Sequence, residues 1–197
     1  METSNLIEWG GIALVALLIF AETGLLLGLV IPGGETLVFT TGLLISTKVL
    51  HTDVTMMLPL LVVAGFAGDT SGYLIGRKFG PNLYTKKDTW YFKQKYLKAV
   101  QRFFIKYKKR TIFIGKFLPI IRPFTPLTAG ITKLPRVLFF GSSLLATAVY
   151  MSTFLLAGYY LGDRFPQLKN YLHWVLPASV ILLVGPVIWK LKKESSK

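Results

Sequence analysis

The chain has 197 residues, 52% of them hydrophobic, and carries 23 Lys and Arg against 9 Asp and Glu, a formal net charge of +14. An ordinary soluble domain is excluded because the charges cluster and leave long apolar runs untouched: residues 77–110 hold twelve basic residues and one acid, Asp88. The absence of cysteine removes disulfides, thiol catalysis and thiolate metal sites, and His51 and His173 share no ligand spacing, so neither metal nor cofactor is expected.

A spanning helix needs roughly 20 mostly apolar residues. The stretches 9–31, 54–76, 137–161 and 171–189 reach or approach that length and are apolar on every face, as bilayer segments are. The N-terminal flank is acidic (Glu2, Glu8) and lacks a basic n-region, so the first stretch is expected to stay in the membrane and not to act as a signal peptide. Pro32-Gly33-Gly34 interrupts it, and a short apolar arm, Thr36 to Ser46, follows. That arm is roughly 16 Å of helix at about 1.5 Å per residue. It cannot cross a core about 30 Å thick. Residues 9–46 are therefore expected to form a re-entrant hairpin with its tip at Pro32, followed by a span over 54–76.

The basic segment 77–110 comes next. Phe92, Tyr96, Val100, Phe103 and Tyr107 fall at helical spacing, while Lys93, Lys95, Lys98, Arg102 and Lys106 occupy other faces. This is the pattern of an amphipathic helix, lying on an anionic leaflet or packed on the protein's own spans. No nucleic-acid-binding module accompanies it, so no nucleic-acid partner is expected.

Residues 111–132 are apolar enough to enter a bilayer yet contain Lys116, Pro119, Arg122, Pro123, Pro126 and Gly130. Each interior proline removes a hydrogen bond and clashes with the preceding turn, so a straight helix is disfavoured. If the segment is re-entrant, the basic loop, Lys133 with Arg136, and the tail Lys190-Leu191-Lys192-Lys193 fall on one side of the membrane. If it crosses, they fall on opposite sides. Basic loops favour the cytoplasmic face, which selects the re-entrant topology with a cytoplasmic C-terminus. Spans at 137–161 and 171–189 complete the chain. The whole is expected to be a single all-α polytopic membrane domain over 1–197. Two opposed re-entrant helical hairpins in an inverted repeat, with a C-terminal transmembrane helix, compose it. Transporters build midplane sites from discontinuous helices in this arrangement.

Charged residues at membrane depth mark functional sites by default. Glu22 lies well inside the first apolar run. Glu35 follows the Pro32-Gly33-Gly34 break, where it either serves a site or complements a helix N-terminus. Lys116 and Arg122 are the cationic counterparts. They either neutralise the acids as buried ion pairs or combine with backbone amides into an anion site, for which Arg supplies a planar donor fork. A nearby carboxylate gaining a proton as the anion leaves would couple release to a proton gradient. Asp69, within Gly65-Phe66-Ala67-Gly68-Asp69-Thr70-Ser71-Gly72-Tyr73, either joins the site or serves a local polar network. The small residues around it allow close helix packing. Arg77 and Lys78 are expected to anchor the span's end.

Three blocks of residues resemble the DedA family, also called the SNARE-associated or VTT-domain family, over roughly residues 10–165. The first is Phe20-Ala21-Glu22-Thr23-Gly24 leading to Pro32-Gly33-Gly34-Glu35, with one glycine more than the family's pattern. The second is Gly65-x-x-Gly68-Asp69-x-x-Gly72-Tyr73-x-x-Gly76-Arg77-x-x-Gly80. The third is Lys116-Phe117-x-Pro119-x-x-Arg122, then Pro126 and Ala129-Gly130; Lys116 stands where the family usually has Arg. The resemblance implies lipid translocation, with undecaprenyl phosphate the cargo of bacterial members and phospholipid scrambling the role of eukaryotic relatives. It carries the essential residues onto Glu22, Glu35, Lys116 and Arg122. It also implies a bacterial cytoplasmic membrane location and membrane lipids as partners; protons are the partner expected from the buried carboxylates, and the chain leaves room for a homo-oligomer.

Other functions compete. A lipid phosphatase of the phosphatidic-acid type uses Lys-x6-Arg-Pro with catalytic histidines. Lys116 to Arg122-Pro123 is one residue short, and neither histidine has a suitable context, so no enzyme is expected. A proton-coupled ion or small-solute transporter fits the buried acids equally well. A non-transporting membrane organiser would tolerate loss of Glu22 and Arg122.

Overall fold

A computed structural model of the chain describes residues 3–24, 34–85, 110–118 and 122–165, together with Arg102. The expected tip residues Pro32, Gly33 and Pro119, the segment 86–109 apart from Arg102, the final span 171–189 and His173 lie outside the described residues. Every element among the described residues is helical: α1 (Thr3–Gly24), α2 (Gly34–Ser46), α3 (Val54–Thr85), α4 (Arg110–Lys116), α5 (Phe124–Ile131) and α6 (Arg136–Arg164). Val54–Gly80, within α3, and Arg136–Arg164 are long and apolar enough to cross a membrane. At about 1.5 Å per residue, their 27 and 29 residues exceed the thickness of a hydrocarbon core of about 30 Å.

Among the described residues, 111–132 is not one straight helix, although Pro126 sits inside the first turn of α5 without breaking it. The segment is two short helices, α4 and α5, separated by a break that ends at Pro123 in the N-cap position of α5. Neither piece, at 7 and 8 residues, could span a bilayer alone. Beyond residue 76, where the expected span ended, α3 continues unbroken to Thr85. Charge at Arg77 and Lys78 marks a change of solvent and does not end a helix; even Pro81, which lacks the N–H that would reach the Arg77 carbonyl, lies within α3.

Helices α2 and α5 are built alike. Each ends in a turn with a lysine in the left-handed region, Lys48 at φ 55° and Lys133 at φ 52°. The closing hydrogen bonds match: Lys48 N–H donates to Ile45 and Val49 N–H to Leu44, while Lys133 N–H donates to Gly130 and Leu134 N–H to Ala129. This is the Schellman termination, which satisfies carbonyls that the helix itself leaves unpaired.

The two short helices also pack alike, and each packs on the long helix of the other half. A Cβ at Gly42 of α2 would strike the backbone of Leu155 on α6, and one at Gly158 of α6 would strike that of Phe39 on α2. In the same reciprocal way, Gly130 of α5 meets Tyr73 and Gly76 of α3 meets Leu127. One turn further on, Gly162 rests against Leu43 and Gly80 against Ile131. Small residues at these crossings let helix backbones touch, which is how helices associate where hydrophobicity supplies no drive.

Two apolar clusters result. One gathers Ile12, Ile19, Val38, Ile45, Met57, Leu61, Tyr150, Met151 and Leu155. The other gathers Tyr73, Ile112, Phe124, Leu127, Ala129 and Phe139, with the Tyr73 and Phe139 rings stacked at 4.3 Å. Tyr73 also donates its hydroxyl to the Leu134 carbonyl at 2.6 Å and accepts from Arg77. Along α3 the first cluster ends at Leu61 and the second begins at Tyr73; along α6 the order reverses, from Phe139 to Tyr150. The interval between them on both helices, near mid-length, is where the buried charges sit.

Candidate functional site

Asp69 occupies that interval on α3, and three residues of other elements converge on it. Its carboxylate Oδ2 accepts from the Lys116 ammonium at the end of α4. The same oxygen accepts from Ser143 Oγ at 2.6 Å and from Thr147 Oγ1 at 3.1 Å, both on α6. The Asp69 and Lys116 side chains are each only 4% exposed. A buried charge survives when it is paired and hydrogen-bonded, and Asp69 meets both conditions. Gly65, one turn before it, lies against Thr147 and Met151, so α3 and α6 are close enough for the hydroxyls to reach.

Arg122 lies in the break between α4 and α5. Its Nη1 is 3.2 Å from Glu35 Oε1 at the start of α2 and 3.7 Å from Glu22 Oε1 near the end of α1. The same Nη1 donates to the Tyr150 hydroxyl at 2.7 Å, and the guanidinium carbon sits 4.4 Å from the centre of the Tyr150 ring. Burial falls off across the group: Arg122 is 5% exposed, Glu22 14% and Glu35 30%. Glu22 is additionally held against Gly34, the first residue of α2, where any side chain would collide with its carboxylate. A carboxylate at a helix N-terminus also meets the positive end of the dipole.

The two groups differ in how completely they are satisfied. Arg122 Nε and Nη2 are buried and have no hydrogen-bond acceptor among the described residues. A buried guanidinium with a free donor edge is costly unless that edge meets an acceptor. Nη2 and Nε together form a planar two-donor fork of the shape that carboxylates and phosphates accept. The groups remain electrostatic neighbours, since Arg122 acts on Lys116 and Asp69 acts on Arg122.

The structure thus brings together Glu22, Glu35 and Arg122, and it gives Lys116 to Asp69. The acids do sort to the first half and the cations to the second, and each cation pairs across the halves. Of the break residues, Gly34 lies against Glu22, Pro123 adjoins Arg122, Pro126 lies against Gly72, and Gly130 serves the α3 crossing. His51 lines a separate cavity of about 520 Å³ with Lys48, Asp53, Tyr159 and Tyr160, away from these charges. Tyr150, Ser143 and Thr147 went unread in the sequence. They stand at i, i+4 and i+7, one face of a helix, and that polar stripe in an apolar span was the available signal.

The VTT domain model matches residues 31–160, which includes every one of these residues except Glu22. The chain is 39% identical to an uncharacterised membrane protein of Mycobacterium leprae over 74% of its own length and 64% of that protein's. It is 30% identical to protein DedA of Escherichia coli, covering 88% and 78% of the two chains. It is 28% identical to undecaprenyl phosphate transporter A of Staphylococcus aureus, covering 71% of each. The chain spans just under two thirds of the length of its mycobacterial relatives, 64% and 65% in two of them. No solved structure matches it. Family model and relatives agree with the three sequence blocks: the chain belongs to the VTT-domain, or DedA, family of membrane proteins.

Proposed function

We propose that the protein carries a lipid phosphate, undecaprenyl phosphate foremost, across the bacterial cytoplasmic membrane, and that protons accompany the movement. The observation that carries this reading is the Arg122 donor edge, buried without an acceptor among the described residues, between two apolar clusters. A guanidinium fork suits a phosphate headgroup. A relative is named as an undecaprenyl phosphate transporter, which agrees with this cargo.

Charge balance supports the proton. Arg122 faces two carboxylates, so one positive charge meets two negative ones before any anion arrives. The neighbouring Lys116–Asp69 pair is already neutral as a unit. A phosphate entering at the Nε–Nη2 edge adds negative charge beside the two carboxylates on Nη1, and a proton taken up by one of them relieves the repulsion. The proton then arrives with the anion, the reverse of the order expected from the sequence alone. Glu35, the most exposed member, is the natural entry point for it.

The topology in this reading has α1–α2 and α4–α5 as opposed re-entrant hairpins, with the C-terminus cytoplasmic. The matched glycine crossings of α2 on α6 and α5 on α3 agree with an inverted repeat. The test is reconstitution into liposomes with labelled undecaprenyl phosphate and, separately, labelled phosphatidylglycerol, with and without a proton gradient. Arg122-dependent movement of the first, accelerated by the gradient, is the expected result. Equal, gradient-independent movement of both lipids would make the protein a scramblase. No movement of either would overturn lipid transport and leave an ion or small-solute carrier.

A further inference from the structure

Tyr150 is the middle residue of α6, 1% exposed, and no charge marks it in the sequence. Its ring is held on two sides, by Phe154 at 4.8 Å and by Phe117 at 5.7 Å. Phe117 follows Lys116 directly, so the ring ties α6 to the chain entering the break that carries Arg122. The guanidinium rests on this fixed ring and donates to its hydroxyl. A ring contact and a hydrogen bond from one rigid side chain hold both the position and the rotation of the guanidinium, which neither carboxylate does alone.

A guanidinium has two edges that can grip an oxyanion with paired N–H groups, and both include Nη2; they differ in using Nη1 or Nε. Here Nη1 is engaged by Tyr150, Glu35 and Glu22. We infer that Tyr150 is a positioning residue that commits Arg122 to present its Nε–Nη2 edge, and hence to take a phosphate or similar oxyanion side-on. The inference rests on the transport reading for its biological ligand, and its physical content stands apart from transport. Without Tyr150, the guanidinium is free to turn about its long axis and satisfy itself on the two carboxylates. The site then loses its grip on the anion while keeping its charge.

The test uses the full-length protein in detergent micelles and in liposomes. The Arg122 Nε–H resonance, assigned by its loss in Arg122→Lys, is followed while inorganic phosphate is added. In the wild type it shifts saturably. In Tyr150→Phe, which keeps the ring and drops the hydroxyl, the midpoint rises about tenfold, as expected for one hydrogen bond to a charged group. In liposomes the same variant raises the apparent KM for labelled undecaprenyl phosphate by a similar factor with little change in maximal rate. A merely structural role would lower the amount of active protein and leave KM alone. Should Tyr150→Phe fail to fold, Phe154→Leu loosens the ring without touching Arg122 and raises the midpoint about threefold, within the range of a weakened aromatic contact. A wild-type resonance blind to phosphate, or midpoints and KM unchanged in the variants, overturns the inference. A Tyr150-dependent phosphate response in a protein that moves no lipid removes the transport reading and leaves the positioning role in place.

Discussion

The two buried charge groups of this protein hold similar residues in opposite states. Around Asp69, one carboxylate oxygen receives an ammonium and two hydroxyls, and both charged partners are sealed from solvent. Around Arg122, one nitrogen is shared by three partners, two nitrogens have no acceptor among the described residues, and Glu35 reaches toward the outside. The first arrangement is suited to holding α3, α4 and α6 together. The second is suited to binding something that comes and goes. Net charge alone would rank Lys116 and Arg122 as equals; the saturation of their partners separates them.

The largest expected effects come from breaking the closed pair one side at a time. Lys116→Met or Asp69→Leu strands a buried charge and costs about 3–5 kcal/mol, read as lost folded protein in thermal denaturation. The double substitution recovers most of that loss, because removing both charges is often near neutral. If the pair is a lock, the recovered double variant transports. A stable double variant without transport would place Lys116 in the binding machinery after all.

Arg122 is expected to give the opposite pattern. Arg122→Met combined with Glu22→Gln stays folded, yet transport stays at the protein-free background. Arg122→Ala and Glu22→Ala likewise abolish movement of labelled lipid while leaving expression largely intact. Transport surviving at even a tenth of the wild-type rate in Arg122→Ala would erase the distinction between the groups.

Smaller effects sharpen the same distinction. Ser143→Ala and Thr147→Ala each remove one hydrogen bond to the Asp69 carboxylate, costing about 1.5–3 kcal/mol in stability, with the transport rate per folded molecule unchanged. Glu35→Gln, at the exposed edge of the open group, is expected to cost less than about 1 kcal/mol, since partly solvated ion pairs contribute little. Its signature is functional instead: a weakened dependence of transport on the proton gradient.

Much of this site could be read from the sequence, because a charge inside an apolar run is conspicuous. Glu22, Glu35, Asp69, Lys116 and Arg122 all stood out for that reason, and the prolines of 111–132 announced a broken helix. The pairings could not be read. Lys116 meets Asp69 across 47 residues and Arg122 meets Glu35 across 87, and no local pattern encodes which cation finds which acid. Tyr150 escaped notice because an aromatic residue in a membrane helix is ordinary until something charged lies on it. The extent of α3 escaped for a different reason: a helix ends where its hydrogen bonds end, and the edge of the apolar run says nothing of that.

The glycine crossings also bear on how the chain is made. Gly42 finds its partner surface at Gly158, so α2 leaves the ribosome 116 residues ahead of the groove that receives it. At about 5–20 residues per second, the interval is about 6–23 s. During that time a short helix with an acid at its start must wait unhoused, in lipid, in the translocation machinery or at the surface. Helix α5 waits for nothing, because α3 and Gly76 are already synthesised when Gly130 emerges. Two crossings that look equivalent in the finished protein therefore form in a fixed order, and the first half of the chain depends on α6, a helix of the second half, to become stable.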